Sequence, residues 1–280
     1  MKPTAAQALA LVAAFALVGC RSGDDAGLAS AEVVDRGRQA DVAALLPAEG
    51  VVRLVPEVVA EVPHDPEAST QGLEFHDGVL LEGTGRYGSS ERRRVDPGTG
   101  EVLASVPLPD DHFGEGLTVA GDRLIQLTWK EGVAHLADPS TLDALGVAAY
   151  AAEGWGACFD GQDVVTSDGS STLAVREPDS LAVRSRVAVT LDGVPVDHLN
   201  ELECADGVVW ANVWLTSDIV AIDPATGRIR AVVDASDLVP DGVDDDAVLN
   251  GIARRPGGHT FWLTGKRWPV LYEVRLVPAS

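Results

Sequence analysis

Short apolar strands separated by tight turns recur along the chain, and residues 199–214 show the pattern most clearly. They read Leu-Asn-Glu-Leu-Glu-Cys-Ala-Asp-Gly-Val-Val-Trp-Ala-Asn-Val-Trp. A polar pair, Asn200 and Glu201, opens the first strand, and an Asp-Gly turn leads into a second strand rich in Val and Trp. Alternation of apolar and polar residues on both sides of such a turn predicts a β-hairpin.

This hairpin pattern occurs five times, and its successive starts lie about 40 to 50 residues apart, a spacing typical of propeller blades. The repeats begin at Gln71, Glu115, Glu153, Asn200 and Asn250. In four repeats a second turn follows, rich in Pro, Gly and Ser, as in Asp96-Pro97-Gly98 and Asp138-Pro139-Ser140. Such residues favour tight turns between antiparallel strands. Each of these four repeats therefore supplies four strands.

The fold predicted from these repeats is all-β, a five-bladed β-propeller with four antiparallel strands per blade. The fifth repeat lacks its last turn and fourth strand, whereas residues 51–62 form a surplus β-rich segment before the first repeat. Pairing the two ends would close the ring and remove its open edges. A β-sandwich of the same length would not explain the regular alternation of two turn types.

The N-terminus has the pattern of an export signal. Lys2 is followed by an almost wholly apolar run over residues 5–18 and then by Leu17-Val18-Gly19-Cys20. This ending resembles the lipobox of bacterial lipoproteins, and the run is too short for a comfortable transmembrane helix. We expect a signal peptide over residues 1–19, a lipid on Cys20, a flexible tether over 20–49 and the β-propeller over 50–280. The alternative is an ordinary secretory signal with a chance cysteine.

Export has two consequences. The protein is expected outside the cytoplasm, either anchored through its lipid to the outer face of the cytoplasmic membrane or in the periplasm. Cys158 and Cys204 would then occupy an oxidising compartment. Both follow a repeat start by four or five residues, so neighbouring repeats would bring them within disulfide range. The alternative is two buried thiols that act as small hydrophobic groups.

Charge and motifs exclude several classes of function. The formal net charge of -22 argues against nucleic acid as a partner. The sequence contains no Gly-x-Ser-x-Gly elbow, no His-Glu-x-x-His and no phosphate-binding glycine loop. Its histidines lack metal-ligand spacing, so we expect no metal and no cofactor in the site. The acidic residues 241–246 are interpreted as a solvated loop, with a structural Ca²⁺ as the alternative. Nothing indicates an oligomer, and a monomer is expected.

The chemistry is expected where the innermost strands of the propeller converge. The repeat starts would bring polar side chains together there, and the second strands would add aromatic residues and a lysine. An aromatic-walled pocket with a few polar groups is typical of a small-molecule site. For any one tryptophan, packing in the core is the alternative. The candidates are Gln71, Phe113, Glu115, Trp129, Glu153, Trp155, Asn200, Glu201, Trp214, Asn250 and Lys266.

At these residues the chain resembles the plant-type glutaminyl-peptide cyclotransferases, a family found in plants and bacteria. The resemblance rests on eight segments in family order and covers about residues 50 to 276. It implies a five-bladed propeller that converts the N-terminal glutamine of peptides to pyroglutamate and releases ammonia. The matching segments are residues 70–75, 113–116, 127–129, 153–156, 199–203, 211–214, 249–253 and 264–269.

The resemblance also implies roles. Glu115 takes the acid/base role, while Gln71, Asn200 and Lys266 polarise the substrate. The pocket walls are Phe113, Trp129, Trp155 and Trp214, and Glu201 and Asn250 are assigned to substrate binding with them. One position departs from the family, which tends to carry an aromatic residue where this chain has Ser69. This departure would widen the pocket or shift affinity.

The chemistry of cyclisation agrees with these roles. The substrate's α-amine attacks its own γ-carboxamide, so the reaction is intramolecular, and one carboxylate near both nitrogens can carry the proton between them. Apolar neighbours such as Phe113 and Trp155 would raise the pKa of Glu115. The alternative function is a non-catalytic lipoprotein that binds peptides or a partner protein on the same aromatic face.

Overall fold

The computed structural model describes residues 42–280. The predicted signal peptide, the lipidated Cys20 and the tether up to residue 41 lie outside the described residues. Within residues 42–280 no helix is long and apolar enough to cross a membrane.

The folded region includes residues that the sequence predicts as tether. Helix α1 (Val42–Leu45) is a single turn. Val42 in this turn and Leu46 directly after it are both buried in the largest hydrophobic cluster. The Arg230 guanidinium donates hydrogen bonds to the carbonyl oxygens of Leu46 (3.1 Å) and Pro47 (2.8 and 3.0 Å). Packed residues therefore occur before residue 50, within the segment that the sequence predicts as tether.

Strand β1 (Val52–Pro63) precedes three antiparallel sheets of four strands each. The first sheet contains β2 (Thr70–His76), β3 (Val79–Thr84), β4 (Glu91–Val95) and β5 (Val102–Pro107). The second contains β6 (Gly114–Ala120), β7 (Arg123–Thr128), β8 (Val133–Ala137) and β9 (Ala144–Ala149). The third contains β10 (Ala157–Phe159), β11 (Val164–Thr166), β12 (Thr172–Arg176) and β13 (Val183–Ala188).

The remaining strands form a small hairpin and one eight-stranded sheet. The hairpin is β14 (Thr190–Leu191) with β15 (Val194–Pro195). The large sheet contains β16 (Leu199–Ala205), β17 (Val208–Val213), β18 (Asp218–Ile222), β19 (Ile229–Asp234), β20 (Leu249–Arg254), β21 (Phe261–Gly265) and β22 (Val270–Pro278). A 3₁₀ helix spans Ser236–Leu238. The order β16-β17-β18-β19-β1-β22-β21-β20 places β1 between its two halves.

The predicted all-β class and the four-stranded antiparallel units are confirmed. The two ends of the chain meet in the large sheet, because β1 pairs antiparallel with β22 from Leu54↔Pro278 to Pro63↔Val270. β1 also pairs in parallel with β19, but over three residues only.

Burial changes systematically across the sheets. Every residue of the first strand β6 is buried, whereas the fourth strand β9 is exposed at five of its six residues. The first strands of the sheets also contact one another. Strand β2 contacts β6 and β20, β10 contacts β6 and β16, and β16 contacts β20. Glycine permits this approach, because a Cβ on Gly156 would lie 2.0 Å from the Asn200 carbonyl oxygen. This explains the glycines at the repeat starts.

The Asp-Pro turns owe their register to a side-chain hydrogen bond. Asp96 Oδ1 accepts from the backbone N–H groups of Gly98 (2.8 Å) and Thr99 (2.9 Å). Asp138 makes the same pair of contacts with Ser140 and Thr141. An aspartate that accepts from the backbone two and three residues ahead stabilises a turn, as the sequence pattern predicts.

A disulfide joins Cys158 on β10 to Cys204 on β16, with a Cα–Cα distance of 5.3 Å and a sequence separation of 46 residues. It links the first strands of two neighbouring sheets. We expect the Cys158→Ala/Cys204→Ala variant, in protein lacking residues 1–20, to lose about 2–4 kcal/mol of unfolding free energy in denaturant titrations. The physical reason is that the crosslink restricts the unfolded chain. Reductant should destabilise the parent and leave the variant unchanged; labelling of both thiols in unfolded, unreduced parent protein would contradict this.

Candidate active site

One cavity of about 290 Å³ brings together most of the residues that the sequence predicts for the site. Its polar residues stand at the start of first strands, and its aromatic residues and lysine stand next to first strands or at the end of second strands. It thus lies at one end of the converging first strands. The cavity is lined by Gln71, Phe113, Glu115, Trp129, Trp155, Asn200, Trp214 and Lys266.

The aromatic walls pack edge to face. The ring centroids of Phe113 and Trp129 are 5.7 Å apart, and those of Trp155 and Trp214 are 5.5 Å apart. Glu153 Oε2 accepts hydrogen bonds from the indole N–H groups of both Trp129 (3.2 Å) and Trp155 (3.4 Å). Edge-to-face pairs are favourable, and the shared carboxylate fixes the relative position of the two indoles. Glu153 therefore supports the wall, although it does not line the cavity.

Glu115 is the acidic group of the cavity and is only 6% exposed. Burial raises its pKa well above the ordinary value of 4.5, because the charged form loses its hydration. The charge of Lys266 partly opposes this shift, and the carboxylates of Glu131 and Glu153 reinforce it. The net direction favours a carboxyl group that holds its proton far more readily than an exposed glutamate.

Lys266 is held by a tight turn after β21. Its N–H donates to the Val248 carbonyl (2.9 Å), and the next residue, Arg267, has a positive φ of 58° and donates its N–H to the Ala68 carbonyl (2.7 Å). Gly265 is required here, because a Cβ would lie 2.3 Å from the Trp268 ring. Burial lowers the pKa of Lys266, Glu115 opposes the shift, and Arg267 adds to it.

The two amides of the cavity offer complementary groups. Asn250 Nδ2 donates to Gln71 Oε1 (3.2 Å), so the Gln71 oxygen is occupied and its NH₂ group is left to donate. Asn200 Oδ1 is buried and has no hydrogen-bond partner among the described residues. An unpaired buried acceptor is costly, so this oxygen is poised to receive an N–H from a bound molecule.

Glu201 and Asn250, which the sequence assigns to substrate binding, do not line the cavity. The Glu201 carboxylate is fully buried and accepts from the backbone N–H groups of Leu73 (3.2 Å) and Ile252 (2.9 Å). It thus links the first strands β2, β16 and β20. Side chains of successive strand residues diverge, so Asn200 reaches the cavity and Glu201 does not. Asn250 lies behind Gln71 and orients it.

Comparison with known proteins identifies the family. Residues 30–276 match the profile of the glutamine cyclotransferase family. The chain belongs to this family. It is 39% identical over 230 residues to the glutaminyl-peptide cyclotransferase of Arabidopsis thaliana, which is 80% of this chain and 72% of that protein. The crystal structure of Myxococcus xanthus glutaminyl cyclase is 41% identical, with a TM-score of 0.78, covering 83% of this chain and all of that one.

This glutamine cyclotransferase family member has a second pocket of about 250 Å³ beside the cavity, which we call the side pocket. It shares four walls with the cavity: Gln71, Phe113, Trp214 and Lys266. Its own lining is Ser69, Gly85, Arg86, Leu215, Asp246 and Arg267. Ser69, Asp246 and Arg267 belong to parts of the sequence already singled out, namely the departing position, the acidic loop and segment 264–269. The sequence pattern did not indicate Gly85, Arg86 or Leu215, because they lie in loops without strand periodicity.

Two loops lie next to the two pockets, the β3–β4 loop and the acidic loop 241–246. Tyr87 packs edge to face against Phe113, with ring centroids 5.4 Å apart, and donates its hydroxyl hydrogen to Glu131 (2.9 Å). The β3–β4 loop therefore also supports the aromatic wall. In the acidic loop 241–246, Asp246 pairs with Arg267, and Asp244 lies 3.9 Å from the same guanidinium. Among residues 42–280 no three His, Cys, Asp or Glu side chains are grouped to hold a metal ion.

Proposed function

We propose that this chain is a glutaminyl-peptide cyclotransferase, which converts the N-terminal glutamine of peptides or proteins to pyroglutamate and releases ammonia. The observation that carries the proposal is the buried Glu115 in one aromatic-walled cavity with Lys266, Gln71 and Asn200. At about 290 Å³ the cavity is near the lower limit for small-molecule sites and suits one curled residue rather than a long segment. Membership of the family supports the same reaction.

The reaction joins two atoms of one residue. The α-amine nitrogen attacks the γ-carboxamide carbon, its N–C bond forms, and the carbonyl oxygen takes the displaced electron pair. A cavity that holds the side chain folded back over the amine brings these atoms together and removes most of the entropic cost. The edge-to-face walls of Trp129, Trp155 and Trp214 supply that rigid shape.

Glu115 is proposed to move the proton. In its carboxylate form it takes a proton from the attacking nitrogen. The same carboxyl group then gives that proton to the carboxamide nitrogen as the C–N bond breaks and ammonia leaves. A raised pKa brings the protonated and the charged form closer in free energy at neutral pH than they are in an exposed glutamate, which favours this exchange.

The developing oxyanion needs donors. The Lys266 ammonium and the Gln71 NH₂ group are the donors of the cavity, and removing one such donor typically costs about two to three orders of magnitude in rate. The Asn200 oxygen would accept an N–H from the substrate's amine or carboxamide. No cofactor is required for these steps, and a calcium ion at residues 241–246 would be structural.

We propose that the fold is the five-bladed propeller expected from the repeats. The strands β20, β21, β22 and β1 would form the fifth blade, so the N-terminal strand would close the ring. The pairing of β1 with β22 and the contact between β20 and β2 support this arrangement.

We also propose that Cys20 carries a lipid and holds a monomeric enzyme outside the cytoplasm. The Leu-Val-Gly-Cys segment supports the anchor. The disulfide between Cys158 and Cys204 agrees with an oxidising compartment.

The test is ammonia release from the neutral peptide Gln-Ala-Ala amide by protein lacking residues 1–20, with and without a chelator. We expect stoichiometric ammonia and pyroglutamyl peptide, insensitive to the chelator, and no release from Asn-Ala-Ala amide, whose side chain is one methylene shorter. Binding of the glutamine peptide without release would contradict the proposal. That result would favour the non-catalytic peptide-binding lipoprotein.

A further inference from the structure

The side pocket has a charge unlike that of the rest of the chain. The whole sequence has 43 acidic and 21 basic residues. Among the charged groups that line the side pocket, in contrast, Arg86, Lys266 and Arg267 outnumber the one acidic residue, Asp246. A concave patch whose sign opposes that of the protein attracts anions to that place selectively.

Asp246 does not neutralise all three cations. It pairs with Arg267, whose guanidinium is also 3.9 Å from Asp244, and its charge also acts on Lys266, which interacts with Glu115 as well. The Arg86 guanidinium has no ion-pair partner among the described residues. The side pocket therefore presents an exposed guanidinium that is available to a ligand.

Arg86 also stands in a defined place. The Ser90 hydroxyl accepts from the Arg86 N–H (2.9 Å) and donates to the Arg86 carbonyl (2.7 Å). The same hydroxyl accepts from the N–H of Gly114 (2.9 Å), which directly precedes Glu115. The backbone of Arg86 is thereby tied to the strand that carries the acid/base group. Its guanidinium is presented from a fixed base and not from a free loop.

The two pockets are adjacent, and this determines which part of a peptide substrate would lie in the side pocket. It shares Gln71, Phe113, Trp214 and Lys266 with the cavity, so a peptide whose first residue fills the cavity can extend directly into it. Ser69 lines the side pocket, and its small side chain takes up less of that space than an aromatic residue would. Leu215, which is 58% exposed, offers an apolar rim for the methylene groups of an extending side chain.

We propose that the side pocket binds a carboxylate one residue beyond the N-terminal glutamine, with Arg86 as the specificity-determining contact. The carboxylate comes from the side chain of an acidic second residue or from the C-terminus of a dipeptide. Guanidinium groups bind carboxylates through two parallel N–H donors, which gives both geometric and charge selectivity. This inference rests on the proposed function, because it assumes that glutamine occupies the cavity.

The experiment compares kcat/KM for Gln-Glu-Ala amide and Gln-Lys-Ala amide, and for Gln-Ala with a free or an amidated C-terminus. The enzymes are the parent, Arg86→Ala, Arg86→Glu and Arg186→Glu. Arg186 is exposed on β13, away from both pockets, and its substitution changes the net charge equally. The parent should prefer the glutamyl peptide. Arg86→Ala should lower the glutamyl-to-lysyl ratio about two- to fivefold, and Arg86→Glu about tenfold, as for a partly exposed ion pair.

The two carboxylate sources are separated by the substrate pairs. If substitution of Arg86 changes only the glutamyl-to-lysyl ratio of kcat/KM, the side pocket binds the side chain of the second residue. If it changes only the ratio between free and amidated Gln-Ala, the side pocket binds a C-terminus. Either response should weaken in about 0.5 M salt, because exposed charges are screened. If neither kcat/KM ratio changes more, relative to the parent, in Arg86→Glu than in Arg186→Glu, the inference is wrong.

Binding of the same peptides, followed through the fluorescence of the cavity tryptophans, separates this inference from the proposed function. If the parent binds the peptides without releasing ammonia and the glutamyl-to-lysyl affinity ratio still falls in Arg86→Glu, the proposed reaction fails and the side pocket inference stands. If ammonia is released and neither ratio responds to Arg86, the reaction stands and the inference fails.

Discussion

Replacing Glu115 by glutamine should lower kcat for cyclisation of Gln-Ala-Ala amide by about 10³-fold, within the range typical of a lost general acid/base. Glutamine keeps the size and polarity of the side chain in the 6%-exposed position, but it cannot take up a proton from the amine. KM should change far less, because the aromatic walls that hold the substrate remain. Steady-state ammonia release measures both parameters.

The pH dependence should change in a way that a structural defect would not produce. The proposed step starts from the Glu115 carboxylate and the neutral substrate amine, so the parental kcat/KM should rise with pH as each of these two groups loses its proton. The raised pKa of Glu115 moves its limb of this rise to higher pH than an exposed glutamate would show. Glu115→Gln loses that limb, and its residual rate should rise with pH to about 8, following the free α-amine.

The matched control is Glu101→Gln, the same chemical change at an exposed turn residue, which should retain parental kcat. Thermal unfolding of both variants confirms that each is folded. If Glu115→Gln retains kcat within about tenfold of the parent, Glu115 is not the proton carrier.

Replacing Glu82 by alanine should lower the free energy of unfolding by about 3–5 kcal/mol, the usual cost of leaving one partner of a buried ion pair alone. His64 Nε2 lies 2.9 Å from Glu82 Oε1, and both side chains are almost fully buried. His64 Nδ1 lies 2.8 Å from the Trp268 carbonyl oxygen. Since both ring nitrogens face acceptors, the geometry favours the doubly protonated imidazolium.

This pair joins parts of the chain that are far apart in sequence. His64 follows β1, Glu82 lies on β3, and Trp268 precedes β22. Glu82 Oε1 also accepts from the Thr70 hydroxyl (2.7 Å) on β2. The network therefore fastens the first sheet to the strands in which the two ends of the chain pair.

The contribution of the pair should depend on pH with a definite sign. Burial alone lowers the pKa of His64, but the Glu82 carboxylate and the Trp268 carbonyl outweigh burial, so the net pKa is raised above 6.5. Burial alone raises the pKa of Glu82, but His64 and Thr70 reverse this and lower it below 4.5. The histidine's contribution is complete below pH 6.5 and is lost as pH rises through the raised pKa. The glutamate's contribution is complete above pH 4.5 and is lost as pH falls through the lowered pKa.

The stability difference between the parent and Glu82→Ala should therefore be largest at pH values from 4.5 to 6.5 and should decrease on both sides. Denaturant unfolding at several pH values measures it. The double variant His64→Ala/Glu82→Ala should lose less than the sum of the single losses, because no buried charge is left unpaired. Additive losses, or a pH-independent difference, would contradict the ion pair. Glu101→Ala serves as the exposed control.

Much of the architecture could be predicted from residues that lie close together in the sequence. The Asp-Pro turns form because Asp96 and Asp138 bond to backbone groups two and three residues ahead, and the hairpins follow from alternation on either side of a short turn. The residues that line the candidate cavity could also be predicted from the repeat pattern. Gln71, Glu115 and Asn200 each open a repeat, and equivalent positions of a repeat converge when the repeats pack in the same way.

The sequence by itself determined the β class, the four-stranded units and eight lining residues of the cavity, because strand periodicity and turn chemistry are local properties of the chain. Only the tertiary structure decided that Asn200 faces the cavity while Glu201 links backbones, and that Arg86, Leu215 and Arg267 meet beside it. It alone paired His64 with Glu82. These outcomes depend on how distant loops assemble and on which charges lose their hydration, and no pattern among neighbouring residues carries that information.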